Sequence, residues 1–459
     1  MSEVTKLTLS SLPSELDFED YISAQLLLGG YTLDRSIHEK VAGAGEIFEV
    51  DVITHQYANN DERRLLEIKS KGWDMNEVFK TAGRLLYLGI PSGAFVVQDK
   101  MDEKKYEGRK NATPRMHISM VYAGKKVPTD TELDMTELYS EFGMTANMIE
   151  KNMLATIRFS YNAERCMKKR VSQLKKSKHT EGLETLWDYS NEIQDISFED
   201  EDPISRLHET FDVFKKYNHI SARLDYEFLH GTFPEAESCS SFEVGRVKGY
   251  MLNEIDYLPV NYSLYLEHRL RLYILQSCVE YLVMPKKQQN QYDEFLKKLH
   301  YNSLAGNITL GIEYLGSQCP NYRFYPRLWQ LFTYLMGGFL LTDYKDKEIE
   351  LLGKLSGVPM DEVEKALKVF DILFPIGGNS WMRLINYSHI ERLNMMPAPM
   401  MGIGANFRRG LYSDDDTEEG SSYNTLAKKL SKDYTITNLL KWNSAAFNLL
   451  KNSEDLIKS

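Results

Sequence analysis

Cysteine is scarce in this chain and nowhere clustered. Cys166, Cys239, Cys278 and Cys319 lie far apart with no Cys-x-x-Cys pair among them, which argues against both the spacing of a zinc site and a disulfide framework. A reducing cytoplasm is the expected location. Long apolar runs are missing too. The longest, residues 328–341, is interrupted by Gln330 and falls short of the ~20 residues that a membrane-spanning helix needs. It is expected as a buried helix, and no membrane partner is expected. Residues 1–11 have neither the basic flank and apolar core of a secretory signal nor the Arg-rich pattern of a transit peptide. A Gly-x-x-x-x-Gly-Lys-Ser/Thr loop is also absent, so any nucleotide-driven motor would have to be a partner's. Positive charge is in deficit: 55 Lys and Arg stand against 66 Asp and Glu, for a net charge of −11. The field of the whole molecule repels phosphate backbones, so contact with nucleic acid has to come from local basic patches.

What is present begins with length. A chain of 459 residues exceeds one ordinary core and, at roughly 100 to 200 residues per domain, holds two to four domains. Near the start, Leu16, Tyr21, Ile22, Ala24 and Leu28 fall at helical spacing, with Ser14 as the expected N-cap and Gly29-Gly30 as the stop. The period then changes to two. Residues 31–41 read as a first strand, followed by alternation of Phe48, Val50 and Val52 against Glu49 and Asp51. Residues 65–71 form a further strand, residues 74–88 a helix capped by Asp74, and residues 94–98 and 117–122 two more strands. Helix, three strands, helix and two strands make an α/β domain over residues 1–126. Residues 127–202 are expected as a helical connector with a basic stretch, and residues 203–459 as a mainly α-helical recognition or assembly region. Two acidic stretches, 199–202 before Pro203 and 414–419 before Gly420, are composed like exposed linkers or loops.

The residues that carry chemistry lie on two of these strands. Glu67 and Lys69 are two apart and share a face, while Leu66 and Ile68 point into the core. Asp51 stands on the polar face of the preceding strand. If the two strands pair through the polar segment 57–64, both carboxylates and the ammonium converge at one end of the sheet. Two carboxylates are hard oxygen ligands suited to Mg2+ (or Mn2+), with the Ile68 carbonyl as a further donor. Lys69 can orient a water or stabilise the transition state. Glu19, on the first helix, is placed to reach this group. A lone Glu-x-Lys on a strand is ordinarily a solvated edge; the ordered combination of helix glutamate, glycine turn, aspartate, polar hairpin and Glu-x-Lys gives it meaning.

This arrangement resembles the PD-(D/E)xK restriction-endonuclease-like superfamily, with Asp51 as the motif aspartate and Glu67-Ile68-Lys69 as its Glu-x-Lys. Phe18-Glu19 and Glu49-Val50-Asp51-Val52 are similar to the branch containing Mrr-type restriction enzymes and archaeal junction resolvases. The likeness covers about the first quarter of the chain. It implies a metal-dependent endonuclease that hydrolyses nucleic-acid phosphodiester bonds, with Glu19, Asp51, Glu67 and Lys69 as catalytic residues; double-stranded DNA is the expected substrate, although the motif itself does not distinguish DNA from RNA. Prokaryotic genome defence is the setting it implies. Two departures stand out. Mrr-like enzymes often carry a glutamine on the helix after the Glu-x-Lys strand, where this chain offers Lys80, Arg84 and Tyr87. Val50 also replaces the proline that often precedes the aspartate. Lys80 and Arg84 are read as nucleic-acid contacts.

The helical part adds candidates of weaker specificity. Lys168, Lys169, Arg170, Lys175 and Lys176 lie in a basic stretch that either holds a phosphate backbone or is the solvated face of a surface helix. Arg408-Arg409 is a lesser case of the same kind. Residues 347–374 read as two short helices in the manner of a helix-turn-helix, but Asp361, Glu362 and Glu364 open the second and would repel DNA, which favours a structural role. The recurrent tyrosines and phenylalanines of residues 257–281 and 322–339 are spaced for a core rather than for base stacking. A homo-oligomer or a partner protein supplying activation fits such a region. A competing expectation is a catalytically inactive nucleic-acid-binding or scaffold subunit of a larger complex.

Overall fold

The computed structural model describes residues 9–10, 12–41, 45–56, 63–100, 102–126 and 132–149. It also describes single helical positions between 154 and 172, and residues 181–196, 202–217, 220–235, 258–299, 302–318, 359–373 and 457–458. The chain divides into two compact units, with the main boundary between residues 162 and 163.

The first unit is built on a five-stranded mixed sheet. After a two-residue strand β1 (Leu9–Ser10), helix α1 (Leu16–Leu28) leads into a hairpin of β2 (Thr32–Val41) and β3 (Gly45–His55), then β4 (Arg64–Lys69). Helix α2 (Met75–Leu88), β5 (Ser92–Val97), helix α3 (Glu103–Lys110), β6 (Ile118–Tyr122) and helix α4 (Thr136–Glu141) complete it. The order across the sheet is β2-β3-β4-β5-β6, antiparallel from β2 to β4 and parallel from β4 to β6. Separately, β1 pairs in parallel with β7 (Ile457–Lys458).

Alternation decides the two faces. Val52, Leu66, Ile68, Ala94, Val96 and Val121 point to the side covered by α1 and α4, where they bury Phe18, Ile22, Leu26, Leu138 and Phe142. Leu65, Phe95 and Val97 point the other way and are equally buried. Trp73, which leads into α2, lies against Phe95 there with ring centroids 5.8 Å apart. Asp74 caps α2 as expected, accepting from the amides of Asn76 at 2.8 Å and Glu77 at 3.2 Å.

Three features differ from the sequence expectation. Ser14 does not cap α1. Glu15 takes the cap position at φ 55° with no side-chain hydrogen bond, and backbone carbonyls satisfy the first amides, Asp17 N donating to Ser14 O at 3.2 Å and Phe18 N to Glu15 O at 3.0 Å. Helix α3 was not expected, because Tyr106 is its single buried residue and no apolar stripe marks it. Nor does the core end at Lys126. Met135, Leu138, Phe142 and Met144 belong to it, and Tyr31 donates its hydroxyl to Phe142 O at 2.8 Å.

The second unit, in its described residues, is helical: α5 (Glu181–Ile196), α6 (Pro203–Lys216), α7 (Ile220–His230), α8 (Leu258–Val283), α9 (Lys286–Lys298), α10 (Asn302–Gln318) and α11 (Met360–Leu373). The long α8 packs against α5, α6, α7 and α10. Asp202 caps α6 ahead of Pro203, the pairing that suits a helix start. Tyr262, Tyr273 and Tyr292 are buried, as core aromatics. Among the described residues no helix is long and apolar enough to cross a membrane. Residues 199–201, 322–341, 347–358, 408–409 and 414–419 lie outside the described residues.

Candidate active site

The site begins where two strands part. Strand β3 has 11 residues and β4 has 6, yet only Val52, Ile53 and Thr54 pair with Leu66, Leu65 and Arg64. Beyond Val52 the hairpin continues with β2 alone, Ile37 opposite Val50 and His38 opposite Glu49. Asp51 is the first residue past this fork, facing the end of β4 that carries Glu67 and Lys69. The hairpin suggested by the polar segment 57–64 is present as an antiparallel pair, although residues 57–62 lie outside the described residues.

Both carboxylates meet the ammonium. Lys69 Nζ lies 2.6 Å from Glu67 Oε1 and 3.6 Å from Asp51 Oδ2. Asp51 Oδ2 also accepts from the Ile68 amide at 2.7 Å, which fixes its orientation against β4. The second oxygen of Glu67 is taken by Arg84 of α2, whose guanidinium donates to Oε2. Glu67 is only 2% exposed, so this carboxylate is dry and held by two cations.

Electrostatics follow from that burial. Burial raises Asp51 above the ordinary carboxylate range, against the opposing pull of Lys69 and the Ile68 amide. Burial and then the neighbouring Asp51 raise Glu67. For Lys69, burial favours the neutral amine, but Asp51 and Glu67 outweigh it and keep the ammonium above its usual value. Glu19, on α1, is pushed up to about 8, chiefly by burial and then by Asp51, while Lys69 and Arg35 pull it down. Glu19 therefore belongs electrostatically to the same group. Among the described residues its side chain makes no hydrogen bond or ion pair.

Next to Glu19, Asp20 is fully buried and bound by Arg35 at 2.5 Å. This pair went unnoticed in the sequence, although a signal existed: Arg35 occupies an inward position of β2 between Leu33 and Ile37. Arg35 also lies over the Tyr161 ring, 3.5 Å from its centroid.

The nucleic-acid contacts expected on α2 fare differently from one another. Lys80 is exposed and pairs with Glu77 at 2.6 Å, as on any solvated helix face. Arg84 turns inward to Glu67. Tyr87, exposed, meets Phe48 of the hairpin edge-on at 5.4 Å and donates to Glu39 at 3.1 Å. Of the basic stretch, Lys168 is helical and half-buried, while Lys169, Arg170, Lys175 and Lys176 lie outside the described residues.

The oxygens available here are those of carboxylates, the donor type that a hard divalent cation takes. Burial disfavours the charge of both Asp51 and Glu67. In the arrangement observed, the described residues contain no group of three or more His, Cys, Asp or Glu side chains poised to hold a metal, and Arg84 and Lys69 occupy both oxygens of Glu67. Comparison of the chain with protein-family models, curated proteins and solved structures finds no match.

Proposed function

We propose that the first unit is a metal-dependent phosphodiesterase of the PD-(D/E)xK type acting on nucleic acid, with double-stranded DNA as the first substrate to test. The observation that carries this is the convergence of Asp51, Glu67 and Lys69 at the fork between β3 and β4, with both acids raised by burial beside a retained ammonium. A structural ion pair needs one acid for one base. Here two buried acids share Lys69 and Arg84, and a third, Glu19, adds its own carboxyl beside them.

In this reading Asp51 and Glu67 hold the cation, with Glu19 and the Ile68 carbonyl as further oxygen donors. A bound divalent ion supplies Lewis acidity and makes water a better nucleophile near neutral pH. The remaining work falls to the chain itself. The Ile68 amide keeps Asp51 aimed at the end of β4, and the dry setting of Glu67 strengthens each charge interaction at the reacting phosphate. Lys69 Nζ, charged at neutral pH, offers its protons to oxygens on which negative charge grows.

Incubating purified full-length protein with plasmid DNA, and in parallel with RNA, in Mg2+ or Mn2+ tests the proposal when Lys69→Ala is run alongside. The expected outcome is cleavage by the wild type that falls by about 10²–10³ in the variant, the range seen when one transition-state donor is removed. One observation favours a second reading, a nuclease fold that binds nucleic acid without cutting it: both oxygens of Glu67 are occupied by cations of the chain. Intact substrate in every tube, with binding retained in both proteins, would establish that reading instead.

A further inference from the structure

The geometry points to Arg84 as a resident cation of this site: its guanidinium holds Glu67, and it has to leave that carboxylate before a divalent ion can take it. This rests on the reading of Asp51 and Glu67 as cation ligands. The two acids are unequal in the structure. Asp51 uses Oδ2 for the Ile68 amide and Lys69, and among the described residues its Oδ1 makes no hydrogen bond or ion pair. Glu67 has no such freedom, with Lys69 on Oε1 at 2.6 Å and Arg84 on Oε2.

The two cations are unequal as well. Lys69 arises from the same strand as Glu67 and also faces Asp51, so it stays within the site whichever oxygen it gives up. Arg84 reaches in from α2 and pairs within the site with Glu67 alone. A guanidinium does not lose its proton in a protein, so Arg84 can yield the carboxylate only by moving. A second resting place adjoins it: the Phe48 ring lies 5.9 Å from the guanidinium carbon, and Tyr87 braces that ring edge-on. Charge favours the exchange. Asp51 and Glu67 are matched by Lys69 and Arg84, and a divalent ion added to that balanced set would leave a surplus of positive charge unless one cation withdrew.

Calorimetric titration of the full chain with Mn2+ tests this, comparing wild type, Arg84→Met, Arg84→Lys and Asp51→Asn. Met keeps much of the aliphatic bulk of Arg84 and removes its charge. Arg84→Met is expected to bind Mn2+ about tenfold more tightly than wild type, the scale of one charge-assisted hydrogen bond no longer in competition. Arg84→Lys, which keeps a cation over Glu67, is expected to stay close to wild type and shows that the effect is not a change of fold. Asp51→Asn is expected to lose binding. Arg84→Met binding no more tightly than wild type, or Arg84→Lys gaining as much as Arg84→Met, overturns the inference while Asp51-dependent binding leaves the proposed function standing. Absence of Mn2+ uptake by both wild type and Arg84→Met, or uptake indifferent to Asp51→Asn, overturns both.

Discussion

Glu19 shows how a single side chain can store a pH dependence. Its carboxyl is raised from 4.5 to about 8 by burial and by Asp51, so the folded chain keeps a proton that the unfolded chain releases. The sign follows from linkage: the stabilisation is full below about pH 4.5 and is lost progressively as pH rises to about 8. Glu19→Gln, neutral at every pH, is therefore expected to match the wild-type melting temperature near pH 4 and to exceed it by a widening margin up to pH 8. Each kcal/mol corresponds to ~2–4 °C for a unit of this size. A constant margin across that range would show that Glu19 ionises normally. Protons also compete with cations for the same oxygens. Mn2+ affinity is accordingly expected to rise between pH 6 and 8 and to level off above, with the slope reduced in Glu19→Gln.

At this scale the sequence was a good guide where periodicity sufficed. The spacing of Glu67 and Lys69 puts them on one face of a strand, and a polar connection suggests that Asp51 lies opposite. Arg84 was legible as a cation on α2 and not as a partner of Glu67. Its direction depends on how α2 lies across the sheet, which no local pattern records.

That placement of α2 is a matter of elements. Gly93 of β5 sits beneath the helix: a Cβ there would meet Leu65 O at 2.8 Å and the Leu85 methyls at 3.3 and 3.4 Å. The backbone carbonyl cannot yield without disturbing β4, and Leu85 adjoins Arg84 on α2. Gly93→Ala is expected to destabilise the protein by about 1–3 kcal/mol, the usual cost of overpacking, read as a lower midpoint in chemical denaturation. An unchanged midpoint would mean that α2 is not seated through this contact. Elements with an apolar stripe or strict alternation, such as α2 and β3, were readable in advance. Helix α3 was not, since its start depends on the Asp102 side chain accepting from the Lys105 amide at 2.7 Å and its inward face is Tyr106 alone.

For the whole molecule, the division into an α/β part and a helical part was visible in the change of period along the chain. Its position was not. Met135, Leu138 and Phe142 recur at helical spacing and read as the start of the helical region, whereas they close the sheet's own core. In the helical unit, Cys278 is fully buried, and burial pushes its thiol up to about 12. It is expected to resist alkylation in the native protein at pH 8 and to react once the chain is denatured, as read by peptide mass spectrometry. Rapid native labelling at that residue would show that the helices around α8 open readily.

The fork between β3 and β4 has a mechanical side. A long two-stranded arm is rooted beside Asp51 by three residue pairs and tethered further out by Phe48 and Tyr87. Past that root the arm is ordered by its own β2–β3 ladder and by the Phe48–Tyr87 contact, not by the rest of the sheet.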